Sequence, residues 1–413
     1  MAEVIWQDEP NQIIQFVNTN SLETNNFIKF VESDNEYVYF KLVYPETILP
    51  QSDTNHRSST CNIVIGVRSV ENYDYLWSWH LWLTKYSTQP VEVLPGTDAW
   101  ALQTYNNVGH ILRYGEAAGL PENLKMWSNR YKDKYVMDRN IGAGESSIRN
   151  VNQYLESIGM YYQWGRKDPF PQNGKIYNIN GTELGELYDG TAISGGPFSL
   201  KMEQVPMTYA VQHPCTFFGY NEDSKPWMSS ELNDNWNNPS WYEPGKGNGK
   251  SFYDPSPPGW QVPEPGIWDI FQKNQTWDQT KDANGNPTYF GEQDILHFPE
   301  EEGAFSIYVT AERSQGLITE GDILGFGFFR TFGSTDDCTA DYAYWGLRHV
   351  NNGALSYGER QNSGVWTCRK EGDSSINCFF FQYLNRHYNG THTIKQRGVA
   401  LTQWGIQVRS IHQ

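Results

Sequence analysis

The sequence has few positive charges and no long apolar run. Lys and Arg number 31 against 48 Asp and Glu, which gives a formal net charge of -17. Nonspecific nucleic-acid binding needs a basic surface, so this charge balance argues against it. No apolar stretch approaches the roughly 18 residues of a membrane-spanning helix. The first ten residues (MAEVIWQDEP) lack the basic and apolar regions of a secretory signal peptide, and none is predicted.

The common catalytic motifs are also missing. The chain has no Gly-x-Ser-x-Gly elbow, no His-Glu-x-x-His helix and no EF-hand loop. Residues 245–251 (GKGNGKS) have the composition of a phosphate-binding loop but the wrong spacing, which favours a flexible loop. No acid–base pair stands out from the background, and we expect that the chain is not an enzyme.

Cysteine is scarce, with five residues and no Cys-x-x-Cys spacing. Cys368 and Cys378 either bridge a hairpin or remain buried free thiols. Carboxylates at residues 300–302 and at Asp336 and Asp337 suit calcium. An exposed acidic surface is the favoured interpretation of both groups, and no cofactor and no metal site are predicted.

Aromatic residues are abundant, with 16 Trp, 26 Tyr and 20 Phe, which excludes disorder as the main state. Short apolar runs with partial period-two alternation occupy residues 13–17, 36–44, 62–67 and 76–83, a pattern typical of antiparallel strands. Helical periodicity is confined to residues 144–159 and 265–272. These patterns predict an α+β fold that is mostly β.

The composition changes near residue 88. Residues 1–88 contain the regular strand patterns and predict a β-sandwich module for assembly or attachment. Residues 89–413 are rich in Gly, Pro, Asn and Trp and contain long irregular stretches. Loops of that length are usually functional or disordered, and their aromatic content favours packed, functional loops.

The last quarter of the chain has the composition of a recognition surface. Aromatic faces give rigid contact area, and short polar side chains give adaptable hydrogen bonds to sugars or proteins. The candidate contact residues are Tyr342, Tyr344, Trp345, Arg348, His349, Asn351, Tyr357, Trp366, Tyr383, Arg386, His387 and Tyr388.

Several strings together resemble one known family. They are residues 77–84 (WSWHLWLT), 136–143 (VMDRNIGA), 159–171 (GMYYQWGRKDPFP), 211–218 (VQHPCTFF), 253–263 (YDPSPPGWQVP), 313–330 and 404–411 (WGIQVRSI). Their order and density over about residues 60–413 resemble the Fibrobacter major paralogous domain family as it occurs in Bacteroidetes, including fimbrillin-associated surface proteins.

The resemblance implies a C-type-lectin-like recognition domain over residues 89–413. Such folds also serve as variable receptor-binding proteins of diversity-generating retroelements, including those of bacteriophages, and this places a variable-type face at about residues 330–403. The turns at residues 164–168 and 258–260 are expected to be scaffold, with Gly supplying an unusual dihedral and Trp filling the core. Residues 137–140 are expected to supply buried ion pairs and hydrogen bonds rather than catalysis.

Two positions depart from the family pattern. Ser256 and Ser410 stand where the family usually has Cys. If those cysteines pair, both halves of the bridge are missing together, which suits folding in a reducing cytoplasm. This favours a virion protein made in a host cytoplasm over a secreted lipoprotein.

We therefore expect a nonenzymatic phage fibre or decoration protein on the virion surface, with a host-surface glycan or protein as its ligand. Other virion or pilus subunits are expected partners, and a homo-oligomer such as a trimer is expected. One alternative is an adhesin or pilus-tip protein on a bacterial cell surface. Another is a purely structural virion component.

Overall fold

A computed structural model describes the backbone and side chains of most of the strings quoted above. The ranges with described side chains are 2–10, 12–16, 60–84, 139–144, 159–171, 175–185, 196–219, 226–229, 250–264, 364–368 and 402–413, together with Phe40 and Met137. Other strands given below are described by their backbone. The predicted helices fall largely outside this part of the chain, since residues 145–158 and 265–272 are not described.

Strands dominate the described residues, which confirms the mostly-β part of the predicted fold class. The first half contains β1 (Ala2–Gln7), β2 (Ile14–Phe16), β3 (Ile28–Ser33), β4 (Glu36–Leu42), β5 (Thr60–Arg68), β6 (Tyr75–Thr84), β7 (Ile111–Arg113), β8 (Tyr135–Met137), β9 (Tyr162–Gln163), β10 (Gly174–Tyr177), β11 (Glu183–Leu187) and β12 (Ser199–Lys201). A short helix, α1 (Met207–Gln212), precedes β13 (Thr216–Phe218). In the described residues no helix is long and apolar enough to cross a bilayer.

The second half continues with further short strands and three long ones. These are β14 (Trp260–Gln261), β15 (Ile295–His297), β16 (Ala304–Ile307), β17 (Asp341–Ala343), β18 (Leu347–Arg348), β19 (Leu355–Ser356), β20 (Asn362–Glu371), β21 (Ser375–Tyr383), β22 (His392–Leu401), β23 (Gly405–Ile406) and β24 (Ile411–His412). The three long strands form one antiparallel sheet in the order β20-β21-β22.

Two sheets share a core in the N-terminal part. A five-stranded sheet has the order β11-β10-β1-β5-β6, and a three-stranded sheet has the order β2-β4-β3. The strands predicted from alternation over residues 13–17, 36–44, 62–67 and 76–83 are confirmed as β2, β4, β5 and β6. The shared core consists of Val4, Ile13, Ile14, Phe40, Cys61, Ile63, Ile65 and Leu81.

The predicted boundary at residue 88 does not separate the sheets. Strands β10 and β11 come from residues 174–187, yet they complete the five-stranded sheet through the pairing of Gln7 with Tyr177. The amide of Asn62 on β5 also donates to the carbonyl oxygen of Gly142 at 3.0 Å. The first 88 residues are therefore built into the same structure as the residues that follow.

The chain closes by adding its last strands to elements from its middle. Strand β24 lies between β14 and β8, and β23 lies between β18 and β9. The amide nitrogen of Met137 donates to the carbonyl oxygen of Ser410 at 2.9 Å, and that of Ile141 donates to the carbonyl oxygen of Val408 at 2.8 Å. Residues far apart in sequence thus meet in one interior.

Candidate functional site

Residues 159–171 form the centre of that interior. Every residue of this segment is buried, including its charged side chains. A glycine is required at position 159, because φ is 69° there and an added Cβ would lie 2.6 Å from the carbonyl oxygen of Ile141. We refer to this segment, with the side chains that it contacts, as the buried scaffold.

Arg166 fastens the buried scaffold to the chain segment before β13. Its guanidinium donates to the carbonyl oxygens of Thr216 at 2.6 Å, Pro214 at 3.0 Å and His213 at 3.2 Å. It also donates to the side-chain oxygen of Gln163 at 3.0 Å. Burial lowers the pKa of Arg166 to about 10, which leaves it charged at neutral pH. Its donors satisfy backbone carbonyls of the fold, which is a structural role.

Ser78, Lys167 and Asp168 form a buried cluster with the residue types of a nucleophile and a base. The Lys167 ammonium donates to the Ser78 hydroxyl and to the Asp168 carboxylate, both at 2.5 Å. The Ser78 hydroxyl itself donates to the same carboxylate oxygen at 2.5 Å. Burial lowers the pKa of Lys167, and the Asp168 charge opposes that shift. Because Lys167 serves as the counter-ion of Asp168 and Ser78 is 1% exposed, the cluster has the arrangement of a structural ion pair.

His80 belongs to a second polar chain, which is partly buried. Its ring nitrogens lie 2.9 Å from the Tyr162 hydroxyl and 3.0 Å from the Asn62 side-chain oxygen. Asn62 donates in turn to the Asp8 carboxylate at 2.8 Å. Burial lowers the pKa of His80 to about 3 and raises that of Tyr162, so both groups are neutral at pH 7. Both nitrogens of this neutral imidazole are hydrogen-bonded, and the bond to Tyr162 connects β6 to β9.

Three tryptophans donate their indole N–H to backbone carbonyls within the scaffold. Trp366 donates to Tyr162 at 2.7 Å, Trp164 to Thr367 at 3.0 Å and Trp227 to Trp164 at 3.0 Å. Trp366 is 0% exposed. Its prediction as a ligand contact is therefore wrong, because its ring and its only polar hydrogen are both used inside the fold.

The turn at residues 250–264 shows why Ser256 and Ser410 are informative. Their hydroxyl oxygens lie 2.8 Å apart in the interior, so the two serines that depart from the pattern quoted in the sequence analysis are direct neighbours. Asp254 anchors the turn by accepting from the backbone N–H of Ser256 at 2.8 Å and of Val262 at 2.9 Å.

The predicted scaffold turns are confirmed. Gly165 and Gly259 have φ values of 88° and 81°, in the left-handed region that favours glycine. Trp164 and Trp260 are both buried. Of residues 137–140, Asn140 accepts from Arg409 at 3.2 Å and Arg139 donates to the carbonyl oxygen of Gly144 at 2.6 Å. Asp138 lies outside the described residues.

Cys61 and Cys215 are free and buried, and Cys368 is buried. The side chain of Cys378 lies outside the described residues, so both alternatives for Cys368 stay predictions. Within the described ranges, no group of three or more His, Cys, Asp or Glu side chains could hold a metal ion. The carboxylates at residues 300–302, Asp336 and Asp337 lie outside those ranges.

The remaining predicted contact residues are placed only in part. The backbone of Tyr342 lies on β17, that of Arg348 ends β18 and that of Tyr383 ends β21. The others lie outside the described residues: Tyr344, Trp345, His349, Asn351, Tyr357, Arg386, His387 and Tyr388.

Strand pairing brings the end of β18 to the start of β20. Arg348 pairs with Gly405 of β23 in antiparallel fashion, while Val365 of β20 bridges Gln407 in parallel. Strand β20 therefore runs in the same direction as the closing strand, and β18 runs against it. Moving backward along the chain from Gln407 to Gly405 therefore leads toward the first residue of β20. The same movement leads toward the last residue of β18.

The β21–β22 hairpin turns at the same edge. Asn362, the first residue of β20, pairs with Gln382, and Tyr383 pairs with His392. The backbone positions of Arg348, Asn362, Tyr383 and His392 therefore share one end of the strands, which we call the recognition edge. The connections 349–354 and 384–391, which contain five of the predicted contact residues, both start and finish at strands of this region.

One feature escaped the sequence prediction. Among the described residues, the large hydrophobic side chains that are most exposed are Val70, Tyr73, Leu76 and Phe252. The first three lie on or beside the turn between β5 and β6. Phe252 is adjacent to Tyr253, whose ring lies 6.0 Å from that of Trp77. Tyr73 has a φ of 64°, a left-handed conformation that is uncommon for a residue other than glycine.

Comparison of the chain with protein-family models, characterised proteins and solved structures gives no match. Function therefore has to be inferred from the site itself.

Proposed function

We propose that this protein is a nonenzymatic receptor-binding protein of a phage virion, a fibre or decoration protein that binds a glycan or protein on a Bacteroidetes cell. Its C-terminal part is a C-type-lectin-like domain, and its N-terminal sheets serve assembly or attachment. The observation that supports this most is the contrast between a completely buried scaffold and the recognition edge that is attached to it.

The scaffold supports recognition because its strands pair with the strands of the recognition edge and hold them in place. Strand β23 pairs with β9 of the buried segment on one side and with β18 on the other. Trp366 ties β20 to Tyr162 of the same segment. Loops that bind ligands are commonly positioned by a rigid framework of this kind. The connections 349–354 and 384–391 supply His, Asn, Arg and Tyr, which are residue types of recognition surfaces.

The proximity of Ser256 and Ser410 supports the family resemblance on which this proposal draws. If the two cysteines of the family pattern pair, their positions must be neighbours in the fold, and the hydroxyl oxygens of Ser256 and Ser410 are 2.8 Å apart. The loss of both thiols suits a protein that is made in a reducing cytoplasm. The same fold also suits an adhesin or pilus-tip protein, and neighbouring tail and capsid genes rather than pilin genes would discriminate the two.

The experiment is binding of fluorescently labelled protein to a panel of Bacteroidetes strains, with and without periodate treatment of the cells. Saturable, strain-selective binding that periodate removes supports a glycan receptor. Binding that survives periodate supports a protein receptor. Absence of binding to every strain contradicts the proposal.

The exposed β5–β6 turn favours a second candidate, a structural virion component. Val70 is 77% exposed and Tyr73 is 67% exposed, and exposed apolar groups that cluster mark interaction sites. If assembly is the only role, the double variant Val70→Ser/Tyr73→Ser reduces incorporation into particles and no strain binds the isolated protein. Strain-selective binding by the isolated protein excludes this restricted role.

A further inference from the structure

We infer that residues 69–76 (SVENYDYL), which connect β5 to β6 and which we call the docking turn, bind another protein of the virion through an apolar surface bordered by Lys or Arg. This inference rests on the assembly or attachment role proposed for the N-terminal sheets, and it adds the chemistry of the partner. Three features of the docking turn support it: exposed apolar side chains, a backbone that departs from regular hairpin geometry, and acidic side chains at its border.

The apolar side chains of the docking turn are directed to solvent. Val70 is 77% exposed, Tyr73 is 67% exposed and Leu76 is 60% exposed. The turn is closed by the backbone N–H of Ser69, which donates to the carbonyl oxygen of Asp74 at 2.9 Å. This closure keeps the apolar side chains on one short loop. Exposed apolar groups that lie together in this way mark interaction sites.

The fold holds Tyr73 in a costly conformation. Its φ of 64° lies in the left-handed region, which is uncommon for a residue with a Cβ. The carbonyl oxygen of Tyr73 accepts from the Arg68 guanidinium at 3.1 Å. Arg68 also donates to the Tyr75 hydroxyl at 2.6 Å and to the Glu3 carboxylate. Backbone strain that the surrounding contacts enforce is typical of binding and other functional sites.

A β-bulge exposes Leu76. On the two sides of this residue Arg68 pairs with Tyr75 and Val67 pairs with Trp77, so that Leu76 is the extra residue of β6. Bulges turn a side chain away from the direction that a regular strand would give it. Tyr75 is only 8% exposed, whereas Leu76, which follows it, is largely exposed. Two separate departures from a regular hairpin thus present apolar side chains to solvent in the same turn.

The border of the docking turn is acidic. Glu71 is exposed, and the carboxylate of Asp74 accepts from the Asn72 amide at 2.7 Å. Residues 69–76 contain no Lys, Arg or His, and the neighbouring Arg68 is in an ion pair with Glu3. Because surfaces that bind each other have complementary charges, this border favours a partner with Lys or Arg around its apolar contact.

The same charges disfavour two other occupants. A second copy that docks through the same turn about a twofold axis would place Glu71 and Asp74 near their own equivalents. Like charges that face each other across an interface oppose binding, and each copy carries a net charge of -17. An anionic lipid surface repels the border for the same reason. A different protein with a basic border therefore fits the docking turn best.

Photo-crosslinking in assembled particles tests the inference. The crosslinking residue p-benzoylphenylalanine replaces Tyr73 in the full-length protein, which keeps an aromatic ring at this position. The control places the same residue at Thr182, which is exposed in the turn before β11, at the other edge of the five-stranded sheet. We expect position 73 to crosslink to one other virion protein, at an apolar peptide in which Lys and Arg outnumber Asp and Glu. Position 182 is expected not to crosslink to that protein.

Charge reversal tests the acidic border separately. We expect Glu71→Lys to reduce incorporation into particles by about tenfold, because it places a positive charge against the basic border of the partner. The matched control is Glu183→Lys, which makes the same change in charge on β11. It is expected to be incorporated as the wild type is. The melting temperatures of both variants are measured in parallel, and that of Glu71→Lys is expected to be unchanged.

Several results would overturn the inference. These are the absence of a crosslink from position 73 in particles that contain the protein, a crosslink to a second copy, to lipid or to an acidic peptide, and equal incorporation of the two Lys variants. Absence of the protein from particles overturns it together with the virion assignment. The expected crosslink without binding of the isolated protein to any strain supports the docking turn and contradicts receptor binding. Strain-selective binding without a crosslink has the opposite meaning.

Discussion

The buried scaffold and the recognition edge use polar residues in opposite ways. In the scaffold, the donors of Arg166 are directed to backbone carbonyls at 2.6 to 3.2 Å, and Lys167 is held against Asp168 at 2.5 Å. At the edge, Arg348 and His392 occupy strand ends beside connections that contain no carboxylate. The charges of the scaffold are satisfied within the chain, and the proposed function assigns Arg348 to contact with a partner.

Under the proposed function, this division lets a chain keep its fold while its recognition chemistry changes. Substitutions in the scaffold are expected to cost stability because each side chain contacts several segments. Substitutions at the edge are expected to cost binding with little change in stability.

Replacing Arg166 with Ala is expected to lower the free energy of unfolding by about 3–5 kcal/mol, because it leaves buried carbonyl oxygens without donors. Urea unfolding followed by tryptophan fluorescence measures the change. The control is Lys175→Ala, which removes the ion pair between Lys175 and Glu183. Both of these side chains are 44% exposed, so the substitution should lower the free energy of unfolding by less than about 1 kcal/mol. If Arg166→Ala lowers the free energy of unfolding by less than about 1 kcal/mol, Arg166 does not have the structural role described above.

Replacing both Ser256 and Ser410 with Cys is expected to create a disulfide, because the two hydroxyl oxygens are 2.8 Å apart in the interior. The bridge should stabilise the protein by about 2–4 kcal/mol under oxidising conditions, and reductant should abolish the gain. Thiol titration and thermal unfolding with and without dithiothreitol measure it. Two thiols that stay free under oxidising conditions would show that the positions are not bridgeable and would weaken the family resemblance.

The His80 ring predicts a pH dependence of stability. Its pKa is about 3 in the folded state and about 6.5 when unfolded, so the unfolded chain binds more protons between these values. Its contribution is complete above about pH 6.5 and is lost as the pH falls toward 3, by up to about 1.4 kcal/mol per pH unit. The comparison is wild type with His80→Gln, by urea unfolding from pH 7 to pH 4. Equal slopes for the two proteins would show that His80 does not titrate on unfolding.

Tyr73 is expected to show the smallest effect. Its φ of 64° is costly for a residue with a Cβ, so Tyr73→Gly should leave stability unchanged or raise it by at most about 1 kcal/mol. Thermal unfolding measures the change, with Tyr73→Ala as the control that keeps a Cβ. A clear loss of stability in Tyr73→Gly but not in Tyr73→Ala would contradict this expectation. It would show that glycine is not favoured at this position.

Short apolar runs with partial period-two alternation were sufficient to predict β2, β4, β5 and β6. The first seven residues of β5 are all buried, so the apolar content of the run rather than strict alternation marked this strand. The same approach missed the pairing of Gln7 with Tyr177, since nothing in the local pattern of either strand encodes a partner about 170 residues away. This pairing joins strands from both sides of the predicted boundary at residue 88 in one sheet.

At the candidate site, sequence composition identified the last quarter but not which aromatics are buried. Trp366 lies among Asn, Ser, Thr and Arg in the sequence, which suggests exposure, whereas its burial depends on Tyr162 from a distant segment. The charged run Arg166, Lys167 and Asp168, set among aromatics and prolines, was the signal that could have revealed the buried polar network. Its partners Thr216 and Ser78 could be found only from the fold.

Cell binding by a folded variant of the recognition edge separates a loss of recognition from a loss of stability. The double variant Arg348→Gln/Tyr383→Ala and the wild type are compared on a strain that binds the wild type, with their melting temperatures measured in parallel. The division between scaffold and edge predicts a loss of binding of at least tenfold at an unchanged melting temperature. Wild-type binding by the folded variant, or the absence of wild-type binding to any strain, would contradict it.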